Sequence, residues 1–116
     1  MKKYTVFILL LLCSIIRLNG QVIDLSKVFL TPLQVSMQEV ELEGHKAIRV
    51  TKDTAVKKVD EATFVRVNDI VFQDGTIEVK LLSRLLPTAT PLDRGFIGIA
   101  FRISEANDRF ECIYIR

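Results

Sequence analysis

Beyond its first 20 residues the sequence predicts an all-β chain, an antiparallel two-sheet sandwich standing behind an N-terminal signal segment. Three observations carry this. Short runs rich in β-branched and aromatic residues recur between turn residues, and almost no run has a helical period. Gly and Pro punctuate the runs at hairpin and loop spacing. The last run, FECIYI, is apolar or amphipathic on both faces, which a sheet wetted on one side would not require.

The N-terminus, MKKYTVFILLLLCSIIRLNGQ, sets Lys2 and Lys3 before an apolar stretch from Val6 to Ile16 and ends on the small residue Gly20. This is the layout of a secretory signal, so residues 1–20 are read as a leader and residues 21–116 as the mature chain, secreted or periplasmic. A membrane anchor is the competing reading, but the apolar run is interrupted by Arg17 well short of the roughly 20 residues that a spanning helix needs. Lipid attachment at Cys13 is disfavoured by the large Leu12 before it, so no membrane span or lipid anchor is expected in the mature chain.

Removing the leader takes away Lys2, Lys3 and Arg17. The 16 basic residues fall to 13 against 14 acidic ones, so a formal charge of +2 becomes −1. No basic patch remains to support nucleic-acid binding or electrostatic attachment to a membrane. One cysteine, Cys112, is left, which excludes a disulfide framework; between Glu111 and Ile113 it reads as a small buried hydrophobe.

Strands are expected over residues 33–42, 46–52, 62–72, 76–85, 95–103 and 109–115, with a weaker one over 22–28. Glu43-Gly44 and Asp74-Gly75 supply the positive φ of tight hairpins. Residues 87–94, with Pro87 and Pro91, lack ladder donors and form a loop of binding-loop length.

The final two runs read as a hairpin around Glu105-Ala106-Asn107-Asp108. Pairing Ser104 with Arg109 and counting outward sets Arg102 opposite Glu111, Phe101 opposite Cys112 and Ile99 opposite Tyr114. In that register Ile97, Ile99, Phe101, Cys112 and Tyr114 share the core face, while Gly98, Ala100, Arg102, Glu111, Ile113 and Ile115 share the other. A five-residue turn would instead set Arg102 opposite Cys112. Small residues beside an ion pair leave room for a ligand, which makes Arg102, Glu111 and Arg116 the candidate ligand-binding residues; a purely structural pair is the plainer alternative. The chain stops in an apolar strand, an edge that complete proteins normally protect, so residues 21–116 are expected to be the front part of a larger sandwich.

FQDGTIEVKLL and RGFIGIAFRISEANDRFECIYIR together resemble the concanavalin A-like lectin/glucanase domains of secreted bacterial proteins, closest to the laminin-G-like and 3-keto-disaccharide hydrolase-type branch. The matching positions are Phe72, Gly75, Ile77 and Glu78, then Gly98, Ile99, Phe101 and Arg102, then Phe110 and Glu111. The resemblance implies a jelly-roll-like domain with a concave sheet turned to an extracytoplasmic carbohydrate, and further strands after Arg116. It does not fix an activity, because one sandwich scaffold hosts sugar binding, glycan cleavage and adhesion to proteins.

Catalytic residues are unassigned. A glycosidase needs two flanking carboxylates, and no Glu-x-Asp-x-x-Glu signature occurs. Glu39, Glu41 and Glu43 read as a solvated row that would repel if buried. His45, the only histidine, reads as an exposed turn residue that leaves a triad or His-rich metal site little material. No cofactor is implied. Calcium on Glu105, Asn107 and Asp108 is the lesser alternative, since no Asp-x-Asp loop is present. Trp is absent and Tyr114, the only tyrosine after the leader, is assigned to the core, so an aromatic sugar platform is not expected in this stretch.

Overall fold

The computed structural model describes residues 20–58 and 61–115; the segment expected to be a leader, but for Gly20, and the candidate residue Arg116 lie outside them. The described residues are all β, with no helix among them and none, therefore, long and apolar enough to cross a membrane. Six strands form three two-stranded antiparallel sheets: β1 (Leu30–Leu33) with β4 (Phe64–Val67), β2 (Val35–Leu42) with β3 (His45–Lys52), and β5 (Ile97–Phe101) with β6 (Glu111–Ile115).

The expected strand over 33–42 is longer and broken. Gln34 takes φ 53°, turning the chain so that β1 pairs with β4 while β2 pairs with β3. The break is held on both sides: the Gln34 carbonyl accepts from Asp53 N at 3.0 Å, and its Nε2 donates to Glu61 Oε2 and the Ala62 carbonyl, each at 3.0 Å. Pro32 fits in β1 because that strand has a ladder on one edge only.

β2 and β3 form the hairpin that Glu43-Gly44 predicts. Leu42 closes on His45, and φ of 50° and 77° at the two turn residues is the type I′ pattern. Glu41 stands opposite Lys46, and Glu39 and Glu41 are exposed, as a solvated row requires. His45 is the exposed first residue of β3.

The Asp74-Gly75 site departs from expectation. Gly75 does take a positive φ of 127°, yet no hairpin forms, because β4 ends at Val67 and residues 76–85 belong to no ladder. Phe72 turns instead to meet Phe101 edge-on at 6.0 Å, directing the chain toward β5. No strand forms over residues 22–28; residues 25–27 are a turn, with Lys27 N donating to the Asp24 carbonyl at 2.9 Å. Residues 87–94 form the expected loop, braced by bonds from Ala89 N to the Leu86 carbonyl and Asp93 N to the Thr90 carbonyl.

None of the described residues is buried. The apolar contacts that join the segments are aromatic: besides Phe72 with Phe101, Phe64 of β4 meets Phe110 at 5.4 Å, so β4 and the 72–73 segment both lean on the C-terminal hairpin.

Candidate functional site

The β5–β6 hairpin gathers most of the candidate residues. Its turn is the expected one: Ser104 N donates to the Arg109 carbonyl at 2.9 Å and Asn107 N to the Ser104 carbonyl at 3.1 Å, with Asn107 at φ 59°. Ser104 Oγ accepts from the amides of Asp108 and Arg109 and donates to Asp108 Oδ1 at 2.6 Å. A short side chain that bonds its own turn is the reason Ser suits this corner.

The ladder beyond the turn differs from the predicted register. Phe101 pairs with Glu111, Ala100 with Cys112, Ile99 with Ile113, Gly98 with Tyr114 and Ile97 with Ile115. Between the Ser104–Arg109 bond and this ladder lie Arg102 and Ile103 on one strand and Phe110 alone on the other, a β-bulge. Arg102 takes φ 52°, the left-handed conformation found at the first position of such a bulge and usually given to Gly.

The bulge re-sorts the faces. Ile97, Ile99 and Phe101 now share a face with Glu111, Ile113 and Ile115, while Gly98 and Ala100 share the other with Cys112 and Tyr114. Tyr114 is therefore not a core residue. It stands 60% exposed over Gly98, with the ring of Phe96 edge-on to it at 5.4 Å. Gly98 is required by this approach: a β-carbon there would collide with the Ile113 carbonyl and the Tyr114 backbone. Cys112 is exposed rather than buried, because among the described residues nothing covers its face of β6.

Arg102 and Glu111 do meet, Nη1 to Oε1 at 2.9 Å, although they are not opposed in the ladder. Nη2 of Arg102 also donates to the Gln73 carbonyl at 3.1 Å, and its guanidinium lies 6.0 Å from the Phe101 ring centroid. The pair sits on the Phe101 face, away from Gly98 and Ala100, and both side chains are more than half exposed. Arg116 lies outside the described residues.

Two residues of this region escape a reading of the sequence. Arg66 of β4, partly buried, donates through Nη1 to the Ser104 carbonyl at 3.1 Å and to Asn107 Oδ1 at 2.8 Å. Of the turn residues considered for calcium, Asn107 is thus bonded to a guanidinium and Asp108 to a hydroxyl. Alternation with Phe64 sets Arg66 on the face turned to this hairpin, the one signal that could have found it. Phe96, just before β5, supplies the second ring. Among the described residues no three His, Cys, Asp or Glu side chains converge as metal ligands would.

Comparison with protein-family models, characterised proteins and solved structures finds no match to this chain.

Proposed function

We propose that the chain is part of a secreted β-sandwich module that binds an extracytoplasmic carbohydrate on the Tyr114 face of the β5–β6 hairpin. The observation that carries this is an exposed tyrosine ring opposite Gly98, with Phe96 edge-on to it and the small Ala100 next along the same face. Pyranose rings present flat apolar C–H faces that stack on such rings, and a floor without side chains lets the sugar approach the backbone. The likeness of the 72–82 and 94–116 stretches to lectin/glucanase domains supports the same ligand class, and the leader-like N-terminus supports the compartment.

The opposite face favours a second reading, an adhesive module that binds protein. Ile113 and Ile115 are exposed there at 71% and 54%, beside the charged Arg102–Glu111 pair, an apolar centre with a polar rim. Glycan cleavage, the third reading, would need a pair of carboxylates about a sugar bond. Asp108 and Glu111, the carboxylates bonded within this hairpin, are held by Ser104 and Arg102.

The test is to secrete the protein from a bacterial host, confirm by intact mass that it begins at Gln21, and apply it to a panel of immobilised neutral oligosaccharides. Saturable binding to one sugar configuration is expected. A protein that binds no member of the panel contradicts the proposal.

A further inference from the structure

The stretch from Phe72 to Ser83 is tied to β5 and its flanks at both ends. At one end Phe72 packs on Phe101 and Arg102 Nη2 donates to the Gln73 carbonyl. At the other the Ser83 hydroxyl donates to the Gly95 carbonyl, so closely that a β-carbon at Gly95 would strike Ser83 Oγ. The two stretches are therefore antiparallel. β6 occupies only one edge of β5, and no backbone hydrogen bond among the described residues yet fills the other.

The ties set the direction of the two stretches, and the side-chain pattern sets their register. The turn at Asp74-Gly75 takes up the slack after Gln73, and from there residues 76 to 83 count as many steps as residues 95 to 102. Ser83 against Gly95 then sets Ile77 opposite Phe101, Val79 opposite Ile99 and Leu81 opposite Ile97. Side-chain alternation selects this register over its neighbours: Ile77, Val79 and Leu81 alternate with Glu78 and Lys80, and here the three apolar side chains fall on the apolar face of β5. A slip of one residue would put Glu78 and Lys80 there instead. Ile77 and Val79 are now 44% and 47% exposed, so closure has apolar surface to bury.

We infer that residues 76–83 close on β5 as the third strand of this sheet, and that closure completes a glycan site in which Glu78 and Lys80 face Tyr114 across the floor of Gly98 and Ala100. The row Lys80, Gly98, Tyr114 then crosses three strands, and with neighbouring strands about 4.8 Å apart its outer members stand about 10 Å apart at the backbone. A pyranose fits between them, its C–H face on Tyr114 and its hydroxyls toward the Glu78 carboxylate, which accepts, and the Lys80 ammonium, which donates. The site rests on the carbohydrate reading; the strand does not.

Two cysteine pairs test the strand in the mature chain carrying Cys112→Ser. Val79→Cys with Ile99→Cys should form a disulfide on mild oxidation, and Glu78→Cys with Ile99→Cys, on opposite faces, should not. Equal yields, or no bond in the first pair, overturn the third strand. Glu78→Gln and Lys80→Met test the site: each should weaken binding to the immobilised neutral oligosaccharides at least tenfold with melting unchanged. Undiminished binding by both variants overturns the site and leaves the carbohydrate reading standing. A native chain that binds no sugar sinks that reading and the site together, while the disulfide result still decides the strand.

Discussion

Arg102 holds Glu111 at 2.9 Å although the ladder sets Phe101 opposite that glutamate. The pair forms because Arg102 occupies a left-handed bulge position, where a residue with a β-carbon is strained. Both side chains are about half exposed, so the ion pair contributes only about 0–1 kcal/mol.

The strain and the pair make opposite predictions for two variants. Arg102→Ala loses the pair and keeps the strain, so stability should fall by up to about 1 kcal/mol. Arg102→Gly loses the pair but relieves the strain, and should be about 1 kcal/mol more stable than the alanine variant. Chemical denaturation of both decides it. An alanine variant as stable as the glycine variant would mean that the bulge conformation is not the one described.

Gly98→Ala should destabilise the hairpin by about 1–3 kcal/mol, the usual range for forcing a methyl group into occupied space. The added carbon meets backbone, the Ile113 carbonyl and Tyr114, which cannot swing aside. The measurement is thermal melting together with the amide exchange of residues 97–101; native-like values in both would contradict the register that places Tyr114 beside Gly98.

Arg66 joins β4 to the Ser104–Arg109 turn through one nitrogen and two acceptors. Arg66→Ala leaves both oxygens to find other donors and should cost about 1–3 kcal/mol, with faster amide exchange at Asn107. Arg66→Lys should restore little of this, because an ammonium on a shorter reach does not reproduce the planar guanidinium. Full recovery by lysine would show that charge alone matters there.

The all-β class and the Glu43-Gly44 hairpin were legible because each rests on local chemistry: alternation of side chains, and two residues suited to positive φ. The Ser104–Arg109 turn was legible for the same reason. The bulge was not, since nothing local marks an arginine for the left-handed region, and one extra residue moved Tyr114 and Cys112 to the opposite face. Gln34 hid the break between β1 and β2 in the same way, its conformation being set by Glu61, Ala62 and Asp53 far along the chain. Asp74-Gly75 carried a true turn signal but not the partner of the strand that follows, because Phe72 and Gln73 are tied to β5 and not to β4.

The turn at Asp24 should report acid pH. The Ser26 hydroxyl, then the Lys27 ammonium and the Ser26 amide, bond its carboxylate and lower its pKa from 3.8 to about 2. A carboxyl lowered on folding stabilises its turn in full above the unfolded value, and that contribution is lost as pH falls through the folded one. The Ser26 amide resonance should therefore stay constant down to about pH 4 and shift with a midpoint near 2. A midpoint at 3.8 would show that the turn does not hold the carboxylate.

Tyr114 is the only tyrosine after residue 20, and the chain has no tryptophan, so tyrosine emission from protein that begins at Gln21 reports one ring. Titrating the protein with the neutral oligosaccharides of the binding panel, free in solution, tests whether that ring is where sugar lands. A saturable change in emission is expected, with a midpoint equal to the affinity measured on the panel, and that binding should be lost in Tyr114→Ala. Sugar binding that leaves the emission unchanged and survives Tyr114→Ala would contradict it.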